Sequence, residues 1–408
     1  MKLFVLAGEK VVTSDRSERA TRILIGALFL APPLFVLIQL SPTAWAIALP
    51  IILVLNDPRP LLAPSLRLCA ASPFIPTFVL LAALSAAWSV DPLRSLSSAY
   101  KSAGFFVLGA LTLAQLDLLP ERSLSRIRIA LMTGCMIGIL CLASIEVYAW
   151  CKLARTTELD RTLHKIAFYG LYFAAFLLGA GRFFWLRIGF VGVAFALPTL
   201  FLGHTAGVNL AIGLLFIIGF LGDCKQKAMT VALVGAYCFA AVGLPFVVEW
   251  AYAHVDQFSI PVLPSTRSYM ARLELWQVLS PKIKEALLLG HGADTTRIAS
   301  IPFGTFKYYD NPDLPSAHNV VVDTWYELGL AGIFVLLAVI VGLTRKALSV
   351  SAGTFLPVFF VLIGTLIELA VDHRIWLSWL QGILIFAFVG GKVTAEVMKP
   401  APSQDQFI

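Results

Sequence analysis

An all-α, polytopic membrane protein is the fold class this sequence predicts, and three observations predict it. Hydrophobic residues make up 59% of the 408 and charged residues only 13%. Mean hydropathy is +0.84. Apolar runs of about 18–22 residues, long enough for a helix to cross a bilayer, recur along most of the chain. Lipid offers backbone amides no water, so each run must satisfy its own hydrogen bonds as a helix. An ordinary soluble domain is excluded. The formal net charge of +7 would suggest nucleic acid in a soluble chain. In a membrane protein it is explained by Lys and Arg gathering in cytoplasmic loops, and no nucleic-acid partner is expected.

Taken in order, residues 1–22 are polar and basic, with Lys2, Lys10, Arg16, Arg19 and Arg22, which assigns them to the cytoplasm. They carry no short apolar segment with a small-residue cleavage site, so no cleaved signal peptide is expected. About twelve spans follow, near 23–40, 43–56, 72–89, 101–117, 129–149, 164–180, 184–202, 206–222, 228–249, 320–344, 353–371 and 375–392. With both termini inside, 18 of the 31 Lys and Arg fall on cytoplasmic segments, seven on short external segments and six on one long loop. Long loops are exempt from the charge rule, so the asymmetry supports this orientation and puts residues 250–318 outside the cytoplasm. The chain thus divides into 1–249 (N-terminus and nine spans), the loop 250–318, three spans in 319–392, and a cytoplasmic tail 393–408. The tail, polar and with two prolines, is expected to be disordered.

The loop is far longer than a helix connection needs, which points to function. Apolar residues from Thr266 to Leu289 recur at helical spacing and are interrupted at Pro281, predicting two helices. On the first, Arg272 and Trp276 share a face, with Arg267 one step earlier. Arginine presents a planar fork of donors suited to phosphate oxygens, although a solvated helix with Arg272–Glu274 surface pairs explains the pattern equally well. The loop closes on Ser316-Ala317-His318-Asn319 and runs into an apolar span. If that segment is one helix, His318 and Gly329 lie about three turns apart on one face, a titratable imidazole above a small residue suited to close packing. A bland alternative is an interfacial histidine capping a membrane helix.

The external segment between spans five and six is basic against the trend, with Lys152, Arg155, Arg161, His164 and Lys165. An anionic headgroup or a pyrophosphate would explain it, as would simple seating at the lipid headgroups. Glu146, His204, Glu249, Asp323, Glu327, Glu368 and Asp372-His373-Arg374 lie in or at the ends of spans. Such ionisable groups are costly in a membrane and are functional candidates, although near span ends they can reach water. The six cysteines lie in or beside apolar spans without a C-x-x-C pair, so neither a disulfide framework nor a metal site is implied. No D-x-D, H-E-x-x-H, P-loop, G-x-S-x-G or dinucleotide fingerprint occurs. No metal or other cofactor is expected. An external site has no ATP, so any bond made there needs an already activated donor.

Short motifs then carry a resemblance. Arg272-Leu273-Glu274-Leu275-Trp276, the turn Leu288-Leu289-Gly290-His291-Gly292, His318-Asn319 with Gly329, and Ala87-Trp88-Ser89-Val90-Asp91 occur in this chain. Their order, with a loop late in a polytopic chain, resembles the bacterial O-antigen ligase and polymerase superfamily. Where relatives often carry Ser-Arg-Gly or Ser-Arg-Ala, this chain has His204-Thr205-Ala206-Gly207, so the usual arginine is missing. The resemblance implies an inverting, metal-independent glycosyltransferase in the inner membrane of a Gram-negative bacterium, its site facing the periplasm. The donor would be an undecaprenyl-diphosphate-linked glycan and, in the ligase branch, the acceptor lipid A–core. His318 would be the catalytic base. Arg267, Arg272, Arg161 and Arg155 would hold the donor diphosphate, with Asn319, Trp276, Lys165 and His204 as accessory residues. A polymerase using a second lipid-linked glycan is the nearest alternative. A transporter of lipid-linked glycans is a rival of another class, weakened by the absence of a clear internal repeat.

Overall fold

A computed structural model describes residues 13–38, 40–59, 73–152, 169–170, 172–173, 175–177, 223–254, 266–299, 306–308, 317–350, 352–371 and 374–397. Among these residues the secondary structure is helical, without strands. Ten α-helices are described: α1 (Thr13–Leu37), α2 (Ser41–Asn56), α3 (Phe74–Leu84), α4 (Pro92–Asp117), α5 (Glu121–Lys152), α6 (Asp223–Ala253), α7 (Thr266–Glu285), α8 (Val320–Leu348), α9 (Ala352–Val371) and α10 (Ser378–Val397). Four are long and apolar enough to cross a membrane: α1, α5, α6 and α8. Shorter apolar helices run over Ser41–Asn56, Phe74–Ala87 and Ser378–Thr394. The spans expected over 184–202 and 206–222 lie outside the described residues, as does part of 164–180.

The surface fits a lipid setting. Phe239 of α6 is 85% exposed, Phe334 of α8 62% and Ile129 of α5 61%. Aliphatic and aromatic exposure on this scale would be a docking or aggregation liability in water, whereas on long apolar helices it is what acyl chains cover. Inside, α1 lies along α5, and α10 packs on α2, α4 and α5. Phe386 of α10 is the aromatic centre of this bundle, meeting Phe35, Trp45, Phe173 and Phe176 at ring distances of 5.1, 5.5, 6.2 and 5.7 Å, all edge to face.

Prolines inside the helices shape the packing. A proline has no N–H to offer the carbonyl four residues back. Pro32 and Pro33 in α1 therefore release the carbonyls of Leu28 and Phe29, and α5 brings Gly134 against them; a Cβ there would sit 2.9 Å from the Leu28 oxygen. Pro245 in α6 releases the Ala241 carbonyl. The buried Trp325 of α8 donates its indole N–H to that oxygen at 2.8 Å, so the missing helix bond becomes a bond between helices.

Pro281 behaves differently from expectation. It lies inside α7, which runs unbroken from Thr266 to Glu285 rather than as two helices. Leu275, Leu279 and Ile283 form a buried stripe that continues past the proline, and Ser280 beside it donates to the Pro245 carbonyl at 2.6 Å and to Glu249 at 2.9 Å. Packing on α6 and α8 holds the helix across the residue that would break it in isolation.

Candidate functional site

The site is built around a break in α8. Gly329 has φ 61° and ψ −155°, far from helical values. In an unbroken helix Leu330 and Ala331 would donate to the carbonyls of Tyr326 and Glu327. All four of those groups are instead taken by the turn that follows α7. His291 and Gly292 donate their N–H groups to Tyr326 and Glu327 at 2.9 and 2.8 Å, while Leu287 and Leu288 accept from Leu330 and Ala331 at 2.8 and 3.1 Å. Two bonds lost from the helix are replaced by four between segments. The contact is too close for side chains: a Cβ on Gly329 would sit 2.6 Å from the Leu288 carbonyl carbon, and one on Gly290 (φ 66°) 2.5 Å from the Glu327 oxygen.

The far side of the same turn is held by the 85–98 segment. Trp88 donates its indole N–H to Leu289 at 3.0 Å and Val90 its backbone N–H to His291 at 3.0 Å. The Ala293 N–H goes to Ser85 at 3.0 Å, its carbonyl accepts from Ser95 at 2.8 Å, and Ser98 donates to Asp294 at 2.9 Å. Asp91 caps α4, accepting from the Arg94 N–H and guanidinium at 3.1 Å each. Those bonds hold its carboxyl below the usual carboxylate range.

His318 stands just outside α8. Asn319 is the N-cap, its side-chain oxygen accepting from Val321 and Val322 at 2.8 and 3.2 Å. His318 itself is half-buried, with φ 52°, a left-handed conformation uncommon for a residue with a side chain. Before it, the fully buried Ala317 is bound at both ends of its backbone. Its N–H donates to Asp323 at 3.0 Å and its carbonyl accepts from the Trp276 indole at 2.7 Å. Asp323 lies within electrostatic reach of His318 and of Arg374.

One turn further along α8, Glu327 is 1% exposed and its carboxylate is fully engaged. One oxygen accepts from the Thr296 hydroxyl at 2.9 Å and its N–H at 3.4 Å; the other accepts from the Trp376 indole at 2.5 Å. Asp294 accepts from Arg374 at 3.4 Å, joining the segment before α10 to the loop. Burial lowers the Arg374 guanidinium from its usual range, and the neighbouring Asp294 carboxylate works against that. Glu274 of α7, also 1% exposed, gathers the backbone N–H groups of Lys307 and Tyr308 at 2.6 and 2.8 Å and the Tyr252 hydroxyl at 3.1 Å.

Residues 191–337 match the family model of the O-antigen ligases. The matched stretch takes in α6, α7, the glycine turn, His318 and the break in α8, and so three of the four short motifs; Ala87–Asp91 lies outside it. Trp88, Arg374 and Trp376, which close the site from outside, lie beyond it. No curated protein matches the chain.

Within the matched stretch the structure brings together His318, Asn319 and Trp276. Arg272 is half-buried one turn before Trp276, on the side of α7 that meets the His318 segment. Arg267 lies on the first turn of α7, its side chain outside the description, and Arg155, Arg161, Lys165 and His204 lie outside the described residues. Two expectations are corrected. His318 and Gly329 do not share a helix face, because His318 precedes the helix and Gly329 interrupts it; the glycine is small to admit the Leu288–Leu289 backbone. Glu274 is not a surface partner of Arg272 but a buried anchor. Asp294, Thr296 and Trp376 carried no sequence signal, whereas Asp323 and Glu327 stood out as charges within an apolar span. Among the described residues no group of three His, Cys, Asp or Glu side chains is disposed to hold a metal ion.

Proposed function

We propose that this protein is an O-antigen ligase, transferring a glycan from undecaprenyl diphosphate to lipid A–core in lipopolysaccharide biosynthesis. A hydroxyl of the acceptor attacks the anomeric carbon of the donor sugar. The new C–O bond forms as the bond to the diphosphate breaks, the electron pair leaves with undecaprenyl diphosphate, and the hydroxyl proton passes to His318. An imidazole suits this role because its ordinary pKa, ~6.5, lies near working pH. Attack opposite the leaving group inverts the anomeric centre. The leaving diphosphate is stabilised by arginines, Arg272 and Arg267 first, then Arg161 and Arg155, without a metal. The site faces the periplasm from the inner membrane, with both termini cytoplasmic.

The observation that carries this reading is the fixed placement of His318, in a strained backbone conformation at the mouth of an apolar helix inside the matched stretch. Basic residues from Lys152 to Lys165 favour an anionic glycolipid acceptor, hence the ligase over the polymerase. The deciding experiment is reconstitution of purified protein with a lipid-linked glycan and two acceptors, lipid A–core and a second lipid-linked glycan. Product on lipid A–core is expected; elongation of the carrier-linked glycan would make this a polymerase, and vectorial movement without a joined product a transporter.

A further inference from the structure

We infer that Trp276 and Asp323 are positioning residues, gripping the backbone of Ala317 from two helices so that His318 is held in its left-handed conformation. The inference rests on the reading of His318 as the base. Ala317 lies outside any helix and is fully buried, so its N–H and carbonyl can find neither a helical partner nor solvent. Buried backbone groups nearly always have partners, and here both come from side chains. The Trp276 indole reaches the carbonyl at 2.7 Å and the Asp323 carboxylate reaches the N–H at 3.0 Å.

These two bonds sit where they govern the imidazole. With Ala317 clamped on one side and Asn319 fixed as the N-cap on the other, the only residue between them is His318, whose φ of 52° is sterically unfavourable. Such a conformation persists where its surroundings over-determine it. Releasing either backbone group of Ala317 lets His318 relax toward ordinary backbone angles, swinging its Cβ and ring away. Neither Trp276 nor Asp323 needs to touch a substrate for this. Glu327 and Asp294, the other buried carboxylates facing this pocket, have both oxygens engaged by donors from other segments. Asp323 differs. Its Oδ1 holds Ala317, while its buried Oδ2 has no hydrogen-bond partner among the described residues.

The test uses full-length reconstituted enzyme, glycan transfer from a lipid-linked donor to lipid A–core, and hydrogen exchange of the peptide covering Ala317 to Asn319. Trp276→Phe keeps the ring and loses the N–H; Asp323→Ala loses the acceptor; Asp323→Asn keeps an oxygen for the Ala317 N–H. Trp276→Phe and Asp323→Ala are each expected to lower kcat roughly 10–100-fold with the donor KM unchanged, the scale of a misplaced catalytic group. Exchange at Ala317–Asn319 should quicken in both. Asp323→Asn should recover most of the rate, and the double variant Trp276→Phe/Asp323→Ala should lose little more than either alone, since both bonds fix one residue. Exchange as slow as wild type in both single variants overturns the clamp. Faster exchange with wild-type kcat leaves it a structural tie and overturns the positioning role. Asp323→Asn as impaired as Asp323→Ala moves the effect from backbone to charge and also overturns it. Wild-type turnover in His318→Ala would refute the base itself, a failure separate from these because the exchange measurement does not depend on activity.

Discussion

The bundle of α1, α2, α5 and α10 and the head of α8 are both buried, but they are ordered by different forces. In the bundle, specificity comes from shape: edge-to-face rings around Phe386, a glycine against a proline-freed carbonyl, and almost no charge. At the head of α8, the carboxylates of Asp294, Asp323 and Glu327, the indoles of Trp88, Trp276 and Trp376 and three left-handed glycines are fitted together by directed bonds, and a single lost donor leaves a buried acceptor unmatched. Packed apolar regions lose stability by degrees when trimmed. A polar, irregular region is expected to lose function outright, with little change in stability elsewhere.

The sharpest way to break that contrast is His318→Ala. Removing a general base costs ~10²–10⁴-fold in rate, and turnover of the purified, folded variant should fall by that much. Leu131→Ala in the bundle should do the reverse, costing about 2–5 kcal/mol of stability while leaving the folded fraction active. Equal behaviour of the two variants would abolish the distinction. Next in size is Arg272. If it grips the donor diphosphate, Arg272→Ala loses a charge-assisted bond of about 1.5–3 kcal/mol, raising donor KM by ~10–100-fold, with Arg272→Lys intermediate because it keeps charge but not the fork. Unchanged donor binding in both would withdraw Arg272 from the site.

Smaller effects sharpen the comparison. Gly329→Ala places a methyl group against Leu288 at a positive φ and should destabilise by roughly 1–3 kcal/mol in thermal unfolding. Gly26→Ala in α1 meets nothing within 4 Å and should be neutral or gain up to about 1 kcal/mol in helix propensity. Glu327→Gln keeps the shape but presents an amide N–H₂ to donors, Trp376 or Thr296, that already need an acceptor; a loss of about 1–3 kcal/mol is expected from the same melts. The smallest effect is that of EDTA, since no D-x-D occurs and arginines can carry the diphosphate charge. Transfer should proceed unchanged; activity abolished by chelation and restored by a divalent ion would contradict it.

Much of this was legible in the chain because it is local. Apolar periodicity marked where most of the described helices lie, although the polar first turns of α1, α4 and α5, which begin at Thr13, Pro92 and Glu121, fell outside the apolar runs; the glycine turn, the tryptophan-serine turn and His318-Asn319 stood out as short words. What those words do to one another was not legible. The Leu288–Gly292 turn and Gly329 read as separate features, yet each exists to accommodate the other's backbone. A surface pair with Arg272 is one of two readings the sequence allows for Glu274, yet residues two apart on a helix do not face each other, and its partners are the backbone amides at 307 and 308 and the Tyr252 hydroxyl. Trp376 and Ser98 could not be tied to Glu327 and Asp294, since a hydrogen bond across 49 or 196 residues leaves no periodicity. Pro281 misled for the same reason: propensity is local, whereas the stripe of Leu275, Leu279 and Ile283 that overrules it is fixed by α6 and α8.

Viewed as mechanics, the broken α8 is a knuckle splinted on its outer side. Bending it at Gly329 would require four backbone bonds to the 287–292 turn to part together, and that turn is itself tied to the 85–98 segment. The turn therefore ties the nine residues between Asn319 and Gly329, and the helix beyond Gly329, into one piece with the loop. His318, mounted on that splinted end, has little travel of its own. With His318 as the proposed base, the motion that brings donor and acceptor together then falls to the substrates, which swing toward a stationary imidazole.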